Sequence, residues 1–195
     1  MWDERYSVPE YVYGTEPNDF LAAHGTHLTG PVLSIAEGEG RNAVYLAGLG
    51  LEVVGVDSSR VGLAKAQALA AQRGVSIETR AADLASFEPE PGRYGAVVSI
   101  FAHLPSVIRN RLYPLLVRSL KPGGLFVLEA YTPAQLALAT GGPKDEDMLM
   151  NSGKITAEFP GLKPLILREL ERDVMEGNLH YGRSAVVQFV GKKIP

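Results

Sequence analysis

Pro31-Val32-Leu33-Ser34-Ile35-Ala36-Glu37-Gly38-Glu39-Gly40-Arg41-Asn42-Ala43-Val44-Tyr45-Leu46-Ala47-Gly48, followed after Leu49-Gly50 by Leu51-Glu52-Val53-Val54-Gly55-Val56-Asp57, is the stretch on which the reading of this chain turns. Residues 31–36 form a short apolar run between a proline and a glycine-rich segment, the pattern of a buried strand. Residues 38–41 read as a tight turn and 42–49 as a helix with Ala43, Leu46 and Ala47 on one face, ended by Gly48 and Gly50. Residues 51–56 read as a second strand closing on Asp57. Strand, turn, helix and strand in this order make a βαβ unit, which commits the chain to a largely parallel sheet.

The same rhythm continues outward. Ser58 or Ser59 is placed to cap an alanine-rich helix running to about Gln72, because a serine oxygen accepts from the free N–H groups of a first turn. Gly74 stops that helix. A third strand is expected at 75–79 and a fourth at 94–100, with a Pro- and Gly-rich loop at 87–93 between them. Ile108, Leu112, Leu115, Leu116 and Leu120 are spaced as a helix face, in which Pro114 is a kink or a restart. Lys121-Pro122-Gly123-Gly124 predicts a turn ahead of a fifth strand at 125–130. Two further strand-like runs, 165–174 and 181–190, are joined through Met175-Glu176-Gly177-Asn178, which predicts an antiparallel hairpin at the sheet edge. Near the beginning, Asn18 precedes Asp19-Phe20-Leu21-Ala22-Ala23 as the cap of a short helix. The expected fold class is therefore α/β and Rossmann-like: a mostly parallel seven-stranded sheet with helices on both faces and a C-terminal antiparallel hairpin.

Composition narrows the function. The chain has 195 residues, enough for one buried core, and a single domain over 1–195 is expected. Its hydrophobic share of 46% and charged share of 21% are those of an ordinary globular protein. A formal charge of -3 disfavours nucleic acid as a partner and leaves a small molecule. There is no cysteine, which excludes disulfides, thiolate metal sites and cysteine nucleophiles. No signal peptide or membrane-length apolar run is read, so a cytoplasmic protein without membrane contact is expected, a monomer or weak dimer. His24 and His27 lie two residues apart with no carboxylate or cysteine partner nearby, and no metal is predicted.

In an open α/β sheet the ligand lies beyond the carboxyl ends of the strands, which puts the site at residues 36–42. Gly38-Glu39-Gly40-Arg41-Asn42-Ala43 satisfies the G-x-G-x-x-G/A pattern of dinucleotide binding, and Asp57, 17 residues beyond Gly40, is placed to accept from ribose hydroxyls. The pattern alone does not separate NAD from S-adenosylmethionine. Charge does, because Glu37 and Glu39 would repel a pyrophosphate but attract a sulfonium and an ammonium. Asp83-Leu84, past the third strand, is suited to adenine, the carboxylate accepting from its amine. Ala36, Glu37, Gly38, Gly40, Asn42, Asp57, Ser58, Asp83, Leu84 and Ile100 make up the expected cofactor site.

The loop 37–42, Asp57, Asp83-Leu84 and the turn 121–124 together resemble the class I S-adenosylmethionine-dependent methyltransferases over residues 31–130. Gly40-Arg41-Asn42 with Tyr45-Leu46-Ala47, and the opening Trp2, Arg5, Tyr6, Tyr13-Gly14 and Pro17-Asn18-Asp19-Phe20-Leu21, are similar to the tellurite-resistance and thiopurine methyltransferase-like group. Two positions depart from the family pattern: Ser34 stands where an acid is usual, and Ala36 where the first glycine is. The resemblance implies transfer of a methyl group to a small-molecule acceptor, a thiol or a metalloid oxyanion among them. It further implies an amino-terminal lid over 1–30, a cofactor-binding core over 31–130, and a substrate side with the closing hairpin over 131–195. Glu176-Gly177-Asn178-Leu179-His180 resembles a Glu-Gly-x-x-His stretch of that group, which makes His180 the first candidate base, with His103 beside it. Arg5 or Arg183 is a candidate clamp for an anionic acceptor. Two other readings of the same loop stay open, an NAD-dependent oxidoreductase and a non-catalytic S-adenosylmethionine-binding module.

Overall fold

The computed structural model describes residues 2–138, 140–177 and 180–194. In chain order the elements are α1 (Trp2–Tyr6), α2 (Asp19–His24), β1 (Val32–Ile35), α3 (Arg41–Gly48), β2 (Val53–Asp57), α4 (Arg60–Gln72) and β3 (Glu78–Ala81). They continue with β4 (Tyr94–Ile100), α5 (Ser106–Ser119), β5 (Leu120–Tyr131), α6 (Ser152–Glu158), β6 (Leu162–Glu176) and β7 (His180–Lys193). The strands form one seven-stranded sheet in the order β3-β2-β1-β4-β5-β7-β6. β1 to β5 pair in parallel, whereas β7 runs antiparallel to both β5 and β6. This is a Rossmann-like sheet closed by the expected hairpin. Strand order reverses between β1 and β4, and a crevice at their carboxyl ends follows from that topology.

The side-chain period of two divides each strand between two cores. Leu33 and Ile35 of β1 face the layer built by Leu112 and Leu116 of α5 with Ile155 of α6. Val32 faces the opposite layer of Phe20 and Leu21 (α2), Leu46 (α3), and Ala66 and Leu69 (α4). Burial of both faces is why β1, β2 and β4 read as continuous apolar runs. The caps form as the residue types dictate: the Asn18 side chain accepts from Leu21 N, and Ser59, rather than Ser58, accepts from Gly62 N. α5 runs through Pro114 without ending.

Three boundaries differ from the sequence reading. The third strand is Glu78–Ala81, not 75–79, because it is an outer strand paired only with β2 and half-exposed, while Ile77 ahead of it is buried under the helices. β5 begins at Leu120, which pairs with Tyr94 before the register jumps to Leu125 opposite Ala96, so the Lys-Pro-Gly-Gly turn is an irregularity inside the strand pair. β6 and β7 are longer than 165–174 and 181–190, with a register shift between Pro164 and Ile166 where proline cannot donate to the ladder. At the hairpin tip, Asn178 and Leu179 of the Glu-Gly-x-x-His stretch lie outside the described residues.

Candidate functional site

The crevice at the strand ends is a cavity of about 650 Å³, within the usual range for a small-molecule site. Its floor is the loop between β1 and α3. Ala36 leaves β1 at φ +50°, a left-handed conformation uncommon for a residue with a Cβ, and Gly38 follows at +60° and Gly40 at +94°. The turn closes through Gly40 N donating to Glu37 O at 3.3 Å. Glu37 is turned inward: Oε1 accepts from Ala43 N at 2.8 Å, in the first turn of α3, and Oε2 accepts from the Ser34 hydroxyl. Burial pushes its carboxyl up to about 7, against the pull of those two hydrogen bonds. Ser34, the departure from the acid usual on strand one, therefore serves as a donor to a carboxylate supplied three residues later.

Asp57, at the end of β2, is buried, with Oδ2 accepting from Gly38 N at 2.9 Å and Oδ1 from Ser59 N at 2.8 Å. Burial raises its pKa against those bonds. It borders the cavity together with Ala36, Glu37, Gly38, Asn42, Ser58, Asp83, Leu84 and Ile100. Asp83 is exposed, with one carboxylate oxygen accepting from Ala85 N at 2.9 Å, and Leu84 beside it is buried. Gly40 is the expected cofactor residue that does not border the cavity. A Cβ there would lie 2.5 Å from Ala66 Cβ, so this glycine serves the approach of α3 to α4 rather than a ligand.

The amino-terminal segment roofs the cavity with Trp2, Arg5, Tyr6 and Tyr13. Asp3 Oδ1 accepts from Ser59 Oγ at 2.5 Å and from Val61 N at 3.2 Å, which ties α1 to the start of α4. A Cβ on Gly38 would lie 2.7 Å from the Tyr6 hydroxyl, which shows how closely the roof descends. Glu39 does not turn its carboxylate to a ligand: Oε2 accepts from Val12 N at 2.7 Å and Oε1 pairs with Lys65, whose ammonium also donates to Glu10 O at 2.5 Å. Of the two acids that flank the glycines, one thus fastens the roof and the other lies against the floor.

Beyond β4 lie the candidates for chemistry. His103 and His180 both border the cavity. Burial depresses the His103 imidazole to about 3, although Nδ1 lies 3.3 Å from Met148 O. His180 Nδ1 is 3.9 Å from Glu176 Oε2. Burial alone would raise Glu176, but the His180 ring, the Arg41 guanidinium at 2.5 Å and the Asn18 amide at 2.7 Å outweigh it and hold the carboxyl at about 2. Arg183 does not reach the site. Alternation along β7 puts it on the face opposite His180, exposed, with Nε donating to Glu171 at 3.1 Å. Arg5 is the candidate clamp that does border the cavity, and it donates to the Tyr13 hydroxyl at 3.0 Å. The His24 and His27 rings are 6.3 Å apart, and among the described residues no group of three or more metal-ligating side chains is assembled.

Sequence reasoning missed the network beneath the site. Glu129, fully buried in β5, accepts from Asn18 Nδ2 at 2.5 Å, from Arg172 Nε at 2.9 Å and Nη2 at 2.6 Å, and from Gln188 Nε2 at 2.7 Å. Through Asn18 it connects to Glu176 and hence to His180. The available signal was a lone carboxylate in the apolar run Leu125-Phe126-Val127-Leu128-Glu129-Ala130, since buried charges are kept only when paired.

Known proteins share the sequence pattern around this site and the fold. Residues 32–124 match the family described as "Methyltransferase domain". That segment contains every residue of the cavity floor. Over 117 residues the chain is 30% identical to 2-heptyl-1-hydroxyquinolin-4(1H)-one methyltransferase of Mycobacteroides abscessus, the aligned part covering 58% of this chain and 52% of that protein. The chain thus spans about half the length of this curated relative. Among solved structures, one from work on the conversion of a disulfide bond into a thioacetal group during echinomycin biosynthesis superposes with a TM-score of 0.80 at 18% identity, over 98% of this chain and 88% of that one. TehB from Haemophilus influenzae superposes with a TM-score of 0.72 at 16% identity, over 98% of this chain and 65% of that one. It is one neighbour among several of the same fold, and these likenesses show the Rossmann-like fold without assignment to the tellurite-resistance group.

Proposed function

We propose that this protein is an S-adenosylmethionine-dependent methyltransferase acting on a small-molecule acceptor. One observation carries the choice of cofactor. In dinucleotide-binding folds the pyrophosphate sits at the start of the helix after β1, drawn by its free N–H groups. Here the Glu37 carboxylate holds the Ala43 N–H in that first turn, so an anion arriving there meets a buried carboxylate and a cation meets a partner. The cavity suits a nucleoside bearing a cationic arm: Glu37 borders the floor for the ammonium, Asp57 ends β2 for the ribose, and Leu84 and Ile100 supply apolar contact for adenine beside Asp83.

The cofactor would supply a methyl group on a sulfonium, transferred in line to an acceptor lone pair as the bonding electrons return to sulfur. The chain's own part is to hold the acceptor and exclude water, for which the roof of α1 and Tyr13 is the device. His180, whose ring borders the cavity with Nδ1 3.9 Å from Glu176 Oε2, is the residue to which we assign removal of a proton from the acceptor. Of the acceptors implied by the resemblance, an uncharged thiol suits the site better than a metalloid oxyanion, since Arg183 is turned away, Arg41 is engaged by Glu176, and Arg5 alone, held by the Tyr13 hydroxyl in the exposed roof, is left to meet an anion. The protein is proposed to work as one domain, a monomer or weak dimer, in the cytoplasm, whose reducing conditions suit a chain without cysteine.

Isothermal titration with S-adenosylmethionine and, separately, NAD tests the reading. Binding of S-adenosylmethionine alone, weakened about tenfold or more by Asp57→Ala, is expected. Binding of NAD alone would transfer the protein to the oxidoreductases. Cofactor binding with no methyl transfer to any acceptor in a broad panel would make it a binding module.

A further inference from the structure

The part of the cavity beyond β4 is built from rings. Phe101 follows β4 with φ +50°, a conformation that a bulky residue rarely adopts, and its ring lies 5.0 Å from that of His180 in an edge-to-face contact. The Tyr13 ring of the roof is 4.7 Å from His180 on another side. His103 stacks on Tyr131 with ring planes 4° apart and centroids at 5.3 Å, so its orientation is fixed from behind. Its Nδ1, 3.3 Å from the Met148 carbonyl, is the nitrogen that carries the proton, which leaves Nε2 with a lone pair; that atom is buried and has no partner. A neutral imidazole follows, because burial holds its basicity far below neutral pH.

Charge on this side is sparse and already has partners. Arg5 donates to the Tyr13 hydroxyl with its guanidinium 4.7 Å over the Trp2 ring, and Arg41 is paired with Glu176. Among the described residues Arg5, in the exposed roof, is the one cation of this half without a carboxylate partner, and the ring-lined part around His103 has none, so a concentrated anion there would be desolvated with little compensation. An unsatisfied buried nitrogen beside ring faces is matched by a ligand that is flat, uncharged and carries one donor.

We propose that the acceptor is a planar aromatic molecule bearing its nucleophile as a ring hydroxyl or thiol, the ring packing against Phe101 and His180 and the O–H or S–H donating to His103 Nε2. The inference rests on the methyltransferase reading and names the substrate class of that site. His103 is on this view a positioning residue: it holds the hydroxyl or thiol until the methyl bond forms, and the proton then released goes to His180, against which the ring packs.

The test is binding of 7-hydroxycoumarin and of coumarin, which lacks the hydroxyl, measured by titration with and without S-adenosylhomocysteine, alongside selenite and 2-mercaptoethanol. 7-Hydroxycoumarin is expected to bind five- to tenfold more tightly than coumarin, about what one neutral hydrogen bond supplies. His103→Phe keeps the stacked ring and removes the lone pair, so it should abolish that preference while leaving coumarin affinity in place. Phe101→Ala should weaken both coumarins together, which keeps the test decisive if the first variant does not fold. Equal affinity for the two coumarins, or binding of selenite or 2-mercaptoethanol in their stead, overturns the proposal. If S-adenosylhomocysteine binds and no coumarin does, the acceptor class is wrong and the methyltransferase reading stands; if the coumarins bind as expected and neither S-adenosylhomocysteine nor S-adenosylmethionine does, the subsite stands and the reading falls.

Discussion

Glu37 is a carboxylate close to half-protonated at neutral pH, buried on the floor of a cavity proposed to receive a cation. Binding S-adenosylmethionine would favour its ionised form, so below about pH 7 binding must expel a proton. The affinity is therefore expected to rise between pH 6 and pH 8, with a limit of about tenfold per unit for one linked proton. Titration in buffers of different ionisation enthalpy counts the proton directly. Glu37→Gln should bind more weakly and lose the dependence; a wild-type affinity that is flat over this range would mean that Glu37 does not face the cofactor's charge. The residue shows where reading by position succeeds and where it stops. Glu37 and Glu39 look alike in the sequence, two acids alternating with two glycines, yet one lies against the floor while the other holds Val12 and Lys65 of neighbouring elements. Gly38 and Gly40 look equally alike, and only Gly38 borders the cavity because α4 presses on the other. Glu37 is held from nearby by Ser34 and Ala43, but what sets Glu39 and Gly40 apart, Val12, Lys65 and Ala66, lies 26 or more positions away and leaves no local mark.

Among the elements, those governed by local rules were legible and those governed by partners were not. β4 falls at 94–100 as the apolar run predicts, and Asn18 and Ser59 cap as their side chains dictate. β3 slipped because an outer strand needs no apolar pattern, only a neighbour with free N–H and C=O groups, which β2 supplies. The β6–β7 hairpin carries a burden that the alternation did not reveal, holding the polar network against β5. Arg172→Ala is expected to destabilise the fold by about 3–5 kcal/mol, since it leaves Glu129 and the nearby Glu176 buried with less compensating charge. Urea unfolding measures this, and a loss below 1 kcal/mol would show that Asn18 and Gln188 satisfy Glu129 unaided. At the other end, the roof depends on Asp3, which joins α1 to the Ser59 cap of α4. Asp3→Ala should increase proteolysis within the first 16 residues and weaken cofactor binding several-fold, with little change in global stability. Unchanged cleavage would assign closure of the roof to Tyr6 and Glu39 instead.

At the scale of the molecule the site is an intersection of distant segments: residues 2–14, the loop after β1, the ends of β2 and β4, residues 141–143 and the hairpin at His180. Most of the residues expected for the cofactor come together at this crevice because they follow successive strands in fixed order, whereas on the acceptor side Tyr13, His103 and His180 were singled out in the sequence but Phe101 and Met148, which carry no motif, meet them only in the folded chain. The buried carboxylates that this assembly requires pull stability in opposite directions as pH changes. Glu176 goes from an ordinary 4.5 to about 2 on folding, so its stabilisation is present above about pH 4.5 and is lost as pH falls through about 2. Glu37 goes from 4.5 to about 7, so its contribution is full below about pH 4.5 and is lost as pH rises through about 7. The second shift corresponds to on the order of 3 kcal/mol across that interval. Glu37→Gln, which cannot ionise, should therefore gain stability over the wild type at pH 8 compared with pH 5, and Glu176→Gln should lose most at neutral pH and least near pH 2. Denaturant unfolding at pH 5 and pH 8 distinguishes the two. A Glu37→Gln variant whose stability difference from the wild type is the same at both pH values would show that Glu37 is not held protonated by its burial, and would remove the basis for the proton-linked cofactor binding as well.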